Sequence, residues 1–123
     1  MSEFQLTAVI VDDVAVMRKM LRKILESQNF NVIGEAANGQ EAIDLCRDNP
    51  PNLLTLDITM PVVDGLTALK TIKKDNPGIK VVMVSAFGER QNVLEAIKCG
   101  AANFVVKPFN AEKVIRVINS IRF

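Results

Sequence analysis

The sequence Ala8-Val9-Ile10-Val11-Asp12-Asp13 (residues 8–13) is a short apolar run that ends in two acids. The same arrangement recurs further along the chain, where an apolar run of strand-like length is followed at once by a polar residue. The later runs are Leu53-Leu54-Thr55-Leu56 before Asp57, Val81-Val82-Met83-Val84 before Ser85, and Phe104-Val105-Val106 before Lys107-Pro108. Ligands of open parallel sheets bind just outside the carboxyl ends of the strands. We therefore expect these acids, the hydroxyl and the amine to meet in one pocket.

The segments between the apolar runs have the periodicity of amphipathic helices, with apolar residues recurring every three or four positions. Strands that alternate with such helices are typical of βα units around a parallel sheet. We predict five strands and five helices, with the second strand at 31–36 and N-caps at Asn38 and Asn110. The expected buried stripes are Val14, Met17, Met20, Leu21, Ile24 and Leu25; Ala42, Leu45 and Cys46; Leu66, Leu69 and Ile72; a weaker set of Val93, Leu94 and Ile97; and Val114, Val117, Ile118 and Ile121, with Ile115 off the stripe.

Composition limits the classes of function. The 123 residues are enough for one domain with its own core. A net charge of +1 provides no overall field that would attract nucleic acid or an anionic membrane. The N-terminal residues lack the features of a signal peptide and no apolar stretch is long enough to span a bilayer, so we expect a cytoplasmic protein.

Two residue types narrow the chemistry further. The chain has no histidine, which excludes Ser-His-Asp and Cys-His nucleophiles, His-ligated zinc and a role as phosphohistidine donor. Cys46 and Cys99 lie far apart without metal-ligand spacing, and we interpret both as reduced structural thiols. Any metal must therefore be held by oxygen atoms.

The acids at the strand ends are the candidate site. Two carboxylates about 4 Å apart repel each other by roughly 4 kcal/mol at an effective dielectric constant near 20, so Asp12, Asp13 and Asp57 need a cation or protons. Carboxylates, waters and a phosphate are the usual ligands of Mg²⁺. Asp57 could then form an aspartyl phosphate, with Lys107 pairing with a phosphoryl oxygen and Ser85 donating a hydrogen bond to another.

Each of these residues also has an ordinary structural interpretation. Asp12 and Asp13 could open a helix, where acids favour the positive end of the dipole. Asp57 could be a turn residue, Ser85 a capping hydroxyl and Lys107 a solvated strand end. Compatible chemistry at four strand ends together favours a functional site.

These segments resemble the receiver domain of bacterial response regulators over essentially the whole chain. The matching residues are Val9-Ile10-Val11-Asp12-Asp13, Leu56 to Gly65 with Asp57 and Met60-Pro61, Val84-Ser85-Ala86, and Val105-Val106-Lys107-Pro108-Phe109. The resemblance implies a flavodoxin-like, doubly wound (βα)5 fold with a five-stranded parallel sheet. It also implies that residues 1–123 are a single receiver domain with no output domain, monomeric when inactive.

The same resemblance implies the roles of the site residues. Asp57 would be phosphorylated by a histidine kinase, Asp12, Asp13, Asp57 and the main-chain carbonyl of Thr59 would bind Mg²⁺, and Ser85 and Lys107 would contact the phosphoryl group. Such a protein is a switch that catalyses only its own phosphorylation and dephosphorylation.

Phe104, Thr59 and Phe87 fall on positions that vary or move in this family. Phe104 would be the switch aromatic, whose ring turns inward on activation; its alternative interpretation is a core residue of the last strand. Thr59 and Phe87 would tune the lifetime of the phosphate, and Phe87 could instead simply pack at the entry of the fourth helix. Ile115 could face a partner, although a single exposed apolar residue needs no such explanation.

The resemblance is strongest to the stand-alone chemotaxis regulators that bind the flagellar motor switch, with a phosphatase as a further partner. A phosphorelay intermediate that passes its phosphoryl group to a histidine phosphotransfer protein is the alternative within the family. From other classes, an aspartate-nucleophile phosphatase would carry Asp-x-Asp after the first strand, whereas Asp12 and Asp13 are adjacent. A flavin carrier would need hydrogen-bond donors, not acids, after Val11.

Overall fold

The computed structural model describes residues 5–86 and 88–123 and consists of alternating strands and helices. In chain order these are β1 Thr7–Val11, α1 Ala15–Ser27, β2 Asn31–Ala36, α2 Gly39–Asp48, β3 Leu53–Asp57, α3 Gly65–Asp75, β4 Lys80–Ala86, α4 Arg90–Lys98, β5 Asn103–Lys107 and α5 Ala111–Asn119. All strands are parallel, in the order β2-β1-β3-β4-β5. This is the flavodoxin-like order, so the predicted fold is confirmed.

Two separate cores lie on the two faces of the sheet because successive side chains of a strand point to opposite sides. Ala8, Ile10 and Leu53 face α1 and α5, whereas Val9, Leu54 and the other alternate residues face α2, α3 and α4. Every residue of β3 is buried, as expected of the central strand. Within the described residues, no helix has the length and apolar character needed to cross a membrane.

The predicted helix N-caps and part of the predicted buried stripes agree with the structure. Asn38 Oδ1 accepts a hydrogen bond from the Glu41 N–H at 2.9 Å, and Asn110 Oδ1 accepts one from the Lys113 N–H at 2.9 Å. In α5, Val114 and Ile118 are buried, as predicted. The prediction that Ile115 lies off the stripe is wrong, because Ile115 is half-buried and packs against the same core. The second strand has the predicted bounds.

Other predicted stripe residues are exposed. Val14 and Met20 are 44% and 40% exposed, because only Leu21, Ile24 and Leu25 of α1 are buried in the core it shares with α5. In α4 the buried residues are Val93 and Ala96, whereas Leu94 and Ile97 are 48% and 42% exposed. This helix packs chiefly on α3 and β4, which cover a narrow part of its surface.

β4 includes the polar residue Ser85, which the predicted strand ending at Val84 excluded. Ser85 pairs with Val106, and Ala86 with Lys107, so β4 extends two residues beyond the predicted end at Val84. The predicted strand was too short because the main-chain hydrogen bonds of a sheet do not depend on side-chain polarity. Ser85 and Lys107 are therefore held by sheet geometry.

The start of α3 packs directly on the end of β3. The Gly65 N–H donates to the Ile58 carbonyl at 2.8 Å, and the Asp64 side chain caps the helix by accepting from the Thr67 N–H. A Cβ at Gly65 would lie 2.1 Å from the carbonyl oxygen of Asp57. Only glycine allows this approach, which fixes the loop following Asp57.

We expect Gly65→Ala to destabilise the protein by about 1–3 kcal/mol, because the added methyl group forces apart α3 and β3. Gly78→Ala is the matched control, since a Cβ there would have only the Asn76 side chain, 4.0 Å away, as a neighbour. Urea unfolding followed by far-UV circular dichroism measures both, as the chain has no Trp or Tyr to report by fluorescence. Equal stability of the two variants would contradict the close approach.

Candidate functional site

Three carboxylates meet where β1 and β3 end. Asp12 follows β1 and Asp57 is the last residue of β3, and the two strands are hydrogen-bonded neighbours. One oxygen from each of Asp12, Asp13 and Asp57 lies within 4.8 Å of the others. Asp12 is fully buried and Asp57 is 4% exposed, whereas Asp13 is exposed. The cluster is thus buried on one side and open to solvent at Asp13.

Lys107 reaches the same cluster from β5, two strands beyond β3. Its Nζ lies 3.0 Å from Asp12 Oδ2 and 3.1 Å from Asp57 Oδ2. The ammonium group donates a hydrogen bond to Asp57, whereas its contact with Asp12 has the distance of an ion pair without hydrogen-bond alignment. One ammonium group among three carboxylates leaves the ionised cluster with excess negative charge.

This crowding shifts the ionisation of the buried groups. Burial, followed by the charge of Asp12, raises the pKa of Asp57 to about 6, although Lys107 and a hydrogen bond from the Thr59 backbone partly oppose the shift. For Lys107, burial lowers the pKa, but its contacts with Asp12 and Asp57 exceed that effect and the pKa is raised overall. Asp57 is therefore mostly ionised at neutral pH while Lys107 is protonated.

The donor set of the cluster fits a hard divalent cation. Asp12 Oδ1 accepts a hydrogen bond from the Val14 N–H at 2.9 Å, while the buried Asp12 Oδ2 has no hydrogen-bond partner among the described residues. All ligand atoms available are oxygens, and carboxylate oxygens are preferred by Mg²⁺, Ca²⁺ and Mn²⁺. A cation there would offset the charge that Lys107 leaves uncompensated.

Ser85 lies on the strand beside Asp57 but does not hydrogen bond to it. Asp57 pairs with Val84 in the sheet, which places Ser85 one residue further along β4. Ser85 Oγ is buried and has no hydrogen-bond partner in the part of the chain that the structure describes. An unpaired buried hydroxyl is costly, so Ser85 has an unused donor next to the acidic cluster.

Phe104 lies at the surface, and its interpretation as a core residue is wrong. Its side chain is 38% exposed and lines an open apolar cavity of about 420 Å³ between α4 and β5. Ser85, Val93 and Leu94 line the same cavity. The space beside Phe104 thus leads to Ser85. Phe87 lies outside the described residues.

Arg18 and Glu89 contact the site but were not singled out in the sequence. Arg18 donates to the main-chain carbonyl of Asp12 at 2.7 Å and pairs with Glu35 at 3.1 Å. Glu89 accepts a hydrogen bond from the Thr59 hydroxyl. Both are charged residues in or before helices, a position usually taken by solvated side chains, so the sequence carries little signal for them.

Both cysteines are free, and Cys46 is buried, as predicted. Burial raises the pKa of the Cys46 thiol to about 11. A thiol with such a pKa is unreactive at neutral pH, which agrees with a structural role.

We expect Asp57→Asn to raise the free energy of unfolding of the metal-free protein at pH 7.5 by about 2–3 kcal/mol. This is the free energy that corresponds to a shift of about two pKa units in the Asp57 carboxyl group. The folded-state pKa of Asp57, about 6, lies above the ordinary value of 3.8, so the stability associated with its proton is present below pH 4 and is lost as the pH rises through 6. The gain from Asp57→Asn should therefore disappear at pH 4. Unfolding in EDTA at both pH values tests this, with the exposed Asp44→Asn as control; a gain independent of pH would contradict it.

Comparison with known proteins agrees with this geometry. Residues 8–119 match the family model of the response regulator receiver domain. The chain is 46% identical to the chemotaxis protein CheY of Bacillus subtilis over 90% of this chain and 92% of that protein. It is 43% identical to the chemotaxis protein CheY of Thermotoga maritima, over 92% and 94% of the two chains.

Among solved structures, a chain of the CheX–CheY–BeF3–Mg²⁺ complex of Borrelia burgdorferi superposes with a TM-score of 0.89. It is 38% identical, and the match covers 94% of this chain and 87% of that one. The sequence resemblance, the strand order and the family match thus agree. The chain belongs to the response regulator receiver domain family and is similar to CheY over nearly its whole length.

Proposed function

We propose that this chain is a phosphorylation-activated regulator of chemotaxis in which Asp57 accepts a phosphoryl group from a histidine kinase. The observation that carries the proposal is the buried Asp57 carboxylate with Asp12, Asp13 and Lys107 around it. Similarity to CheY proteins over more than nine-tenths of their length supports the chemotaxis role. Residues 1–123 act as one receiver domain.

Asp57 is the nucleophile. One of its oxygens attacks the phosphorus of a phosphohistidine, the N–P bond breaks, and its electron pair remains on the imidazole nitrogen of the kinase. A carboxylate with a pKa of about 6 is ionised at neutral pH, as this attack requires. The acyl phosphate would then lie next to Asp12, Asp13 and Lys107, which surround Asp57.

Mg²⁺ would be held by the carboxylates of Asp12, Asp13 and Asp57 and by the main-chain carbonyl of Thr59. When bound, it supplies positive charge that offsets the repulsion between the carboxylates and the phosphoryl oxygens. Lys107, whose Nζ is 3.1 Å from Asp57, pairs with a phosphoryl oxygen. The Ser85 hydroxyl, which has no hydrogen-bond partner among the described residues, donates a hydrogen bond to another phosphoryl oxygen. The chain thereby catalyses its own phosphorylation and dephosphorylation through position and charge.

Phosphorylation changes the conformer because it adds about one negative charge and new acceptor oxygens. When Ser85 turns towards the phosphoryl group, it withdraws from the cavity that it shares with Phe104. The Phe104 ring then turns from its exposed position into that cavity. This movement remodels the surface of α4, β5 and α5, which is the output surface of the switch.

Similarity to the family and to the CheY relatives supports the choice of partners. A histidine kinase donates the phosphoryl group, and a flagellar motor switch protein receives the signal. A phosphatase of the CheX type is a further partner, because the neighbour from Borrelia burgdorferi was solved in complex with CheX. Neither nucleic acid nor a membrane is required.

We expect Mg²⁺ to raise the melting temperature of the parent protein by several degrees at a hundredfold excess over its dissociation constant, since binding to the folded state alone stabilises it by about 2.7 kcal/mol. Asp13→Asn removes one exposed ligand without opening the core and should remove most of the shift. Asp44→Asn should keep it. Thermal unfolding with EDTA or MgCl2 gives the comparison, and equal shifts in Asp13→Asn and the parent would refute the ligand set.

We expect beryllofluoride with Mg²⁺, a mimic of the phosphoryl group on Asp57, to induce binding to the N-terminal segment of a flagellar motor switch protein. Asp57→Asn should abolish this binding. Fluorine NMR of fluorophenylalanine-labelled protein monitors Phe104 among the six phenylalanines, assigned with Phe104→Leu. A shift at Phe104 without motor binding would favour the phosphorelay alternative. Absence of both would refute the proposed function, and turnover of a small phosphate ester would favour a phosphatase.

A further inference from the structure

Glu89 connects the loop that follows β3 with the last residue of β4, beside the proposed phosphorylation site. Its Oε2 accepts a hydrogen bond from the Thr59 hydroxyl at 2.7 Å, and its Oε1 accepts one from the Ala86 main-chain N–H at 2.5 Å. Thr59 lies two residues after Asp57, and Ala86 directly follows Ser85. We call these two contacts the Glu89 bridge.

The Glu89 side chain makes the contacts of this bridge and does not cap the N-terminus of α4. Glu89 is the N-cap residue of α4, yet its side chain makes no capping hydrogen bond. Asn38, Asp64 and Asn110, the N-caps of α2, α3 and α5, all accept a hydrogen bond from the first turn of their helices. The carboxylate of Glu89 therefore stabilises the arrangement of the two loops instead of its own helix.

The bridge contacts the peptide group between Ser85 and Ala86, next to the Ser85 side chain that moves in the proposed activation. Ser85 Oγ has no hydrogen-bond partner in the described chain, and in the proposed activation it turns to a phosphoryl oxygen on Asp57. The Ala86 N–H belongs to the peptide group that Ser85 itself forms with Ala86, and that group is tied to Thr59 through Glu89. Gly88, which precedes Glu89, has a φ of 94° that suits glycine. The Glu89 N–H also donates to the Ala86 carbonyl at 3.3 Å, so the bridge is one of two hydrogen-bonded restraints between Glu89 and Ala86.

We propose that the Glu89 bridge holds Ser85 in the inactive position and thereby sets the free-energy difference between the inactive and activated conformers. The inference rests on the proposed function, since the activated conformer is defined by a phosphoryl group on Asp57. A contact present only in the inactive conformer stabilises that conformer, and its loss shifts the population towards the other. Glu89 is in this sense a positioning residue that acts through Ala86 on Ser85.

The bridge itself is tested without Mg²⁺ or a phosphoryl mimic. In the metal-free full chain, Glu89→Ala should remove the acceptor of the Ala86 N–H and increase its hydrogen exchange, measured by NMR. Glu89→Gln keeps a carbonyl oxygen for Ala86 and an amide that can donate to Thr59, so it should retain protection. Exchange at Ala86 that is the same in the parent and Glu89→Ala would show that no bridge exists.

The regulatory role is tested by titrating each variant with beryllofluoride at saturating Mg²⁺ and following the Phe104 signal. Glu89→Ala and Thr59→Val should bind the mimic about threefold to tenfold more tightly than the parent, the effect of losing one hydrogen bond from the inactive conformer. Glu89→Gln should stay near the parent, which separates the bridge from loss of negative charge. Glu112→Ala, which removes an exposed acid from the start of α5, is the matched control.

The outcomes separate this inference from the proposed function. If the parent binds the mimic and Glu89→Ala binds with the same or lower affinity, the inference is wrong and the proposed function stands. If Glu89→Gln gains as much affinity as Glu89→Ala, charge alone is responsible and the bridge is refuted. A parent that fails to bind the mimic would overturn both.

Discussion

The structure of this site depends on the repulsion among the carboxylates of Asp12, Asp13 and Asp57. The fold places two of these groups in a buried position, where each ionised carboxylate is least well solvated, and it supplies Lys107 as a partial counter-charge. The raised pKa of Asp57 is the direct result. Repulsion among these carboxylates destabilises the cation-free protein, and a bound cation would reduce this repulsion. This gives a reason for cation binding that is independent of the family match.

The parallel sheet makes this concentration of charge possible. Each βα unit ends its strand at the same edge, so Asp57, Ser85 and Lys107 come together from strands far apart in the sequence. The two apolar cores on either side of the sheet maintain these strand ends against the local repulsion. Stability lost at the edge is offset by burial along the strands, where Leu54 and Leu56 are fully buried.

Several features around the acidic cluster leave hydrogen-bonding or packing capacity unused. The buried Ser85 hydroxyl has no hydrogen-bond partner among the described residues, Phe104 is 38% exposed and lines an apolar cavity together with Ser85, and α4 buries only a narrow stripe. These features each cost some stability in the present conformer, since hydrogen-bonding and packing capacity is unused. The contacts of Glu89 act in the opposite direction by holding the loops after β3 and β4 together. Under the proposed function, the balance of these opposing effects sets how far a phosphoryl group on Asp57 shifts the population of conformers.

The sequence by itself determined the fold class, the ends of β1 and β3 and the identity of the acidic cluster. These could be predicted because they depend on local periodicity and on topology, as with Asp12 after β1 and Asp57 at the end of β3. The caps at Asn38 and Asn110 were equally local. Which face of α1 and α4 is covered was decided only by the tertiary structure, because Met20 and Leu94 have the right spacing but are 40% and 48% exposed. The exposed position of Phe104, the burial of the Ser85 hydroxyl and the contact of Glu89 with Thr59 likewise arise from the packing of distant segments, which no periodicity in the chain encodes.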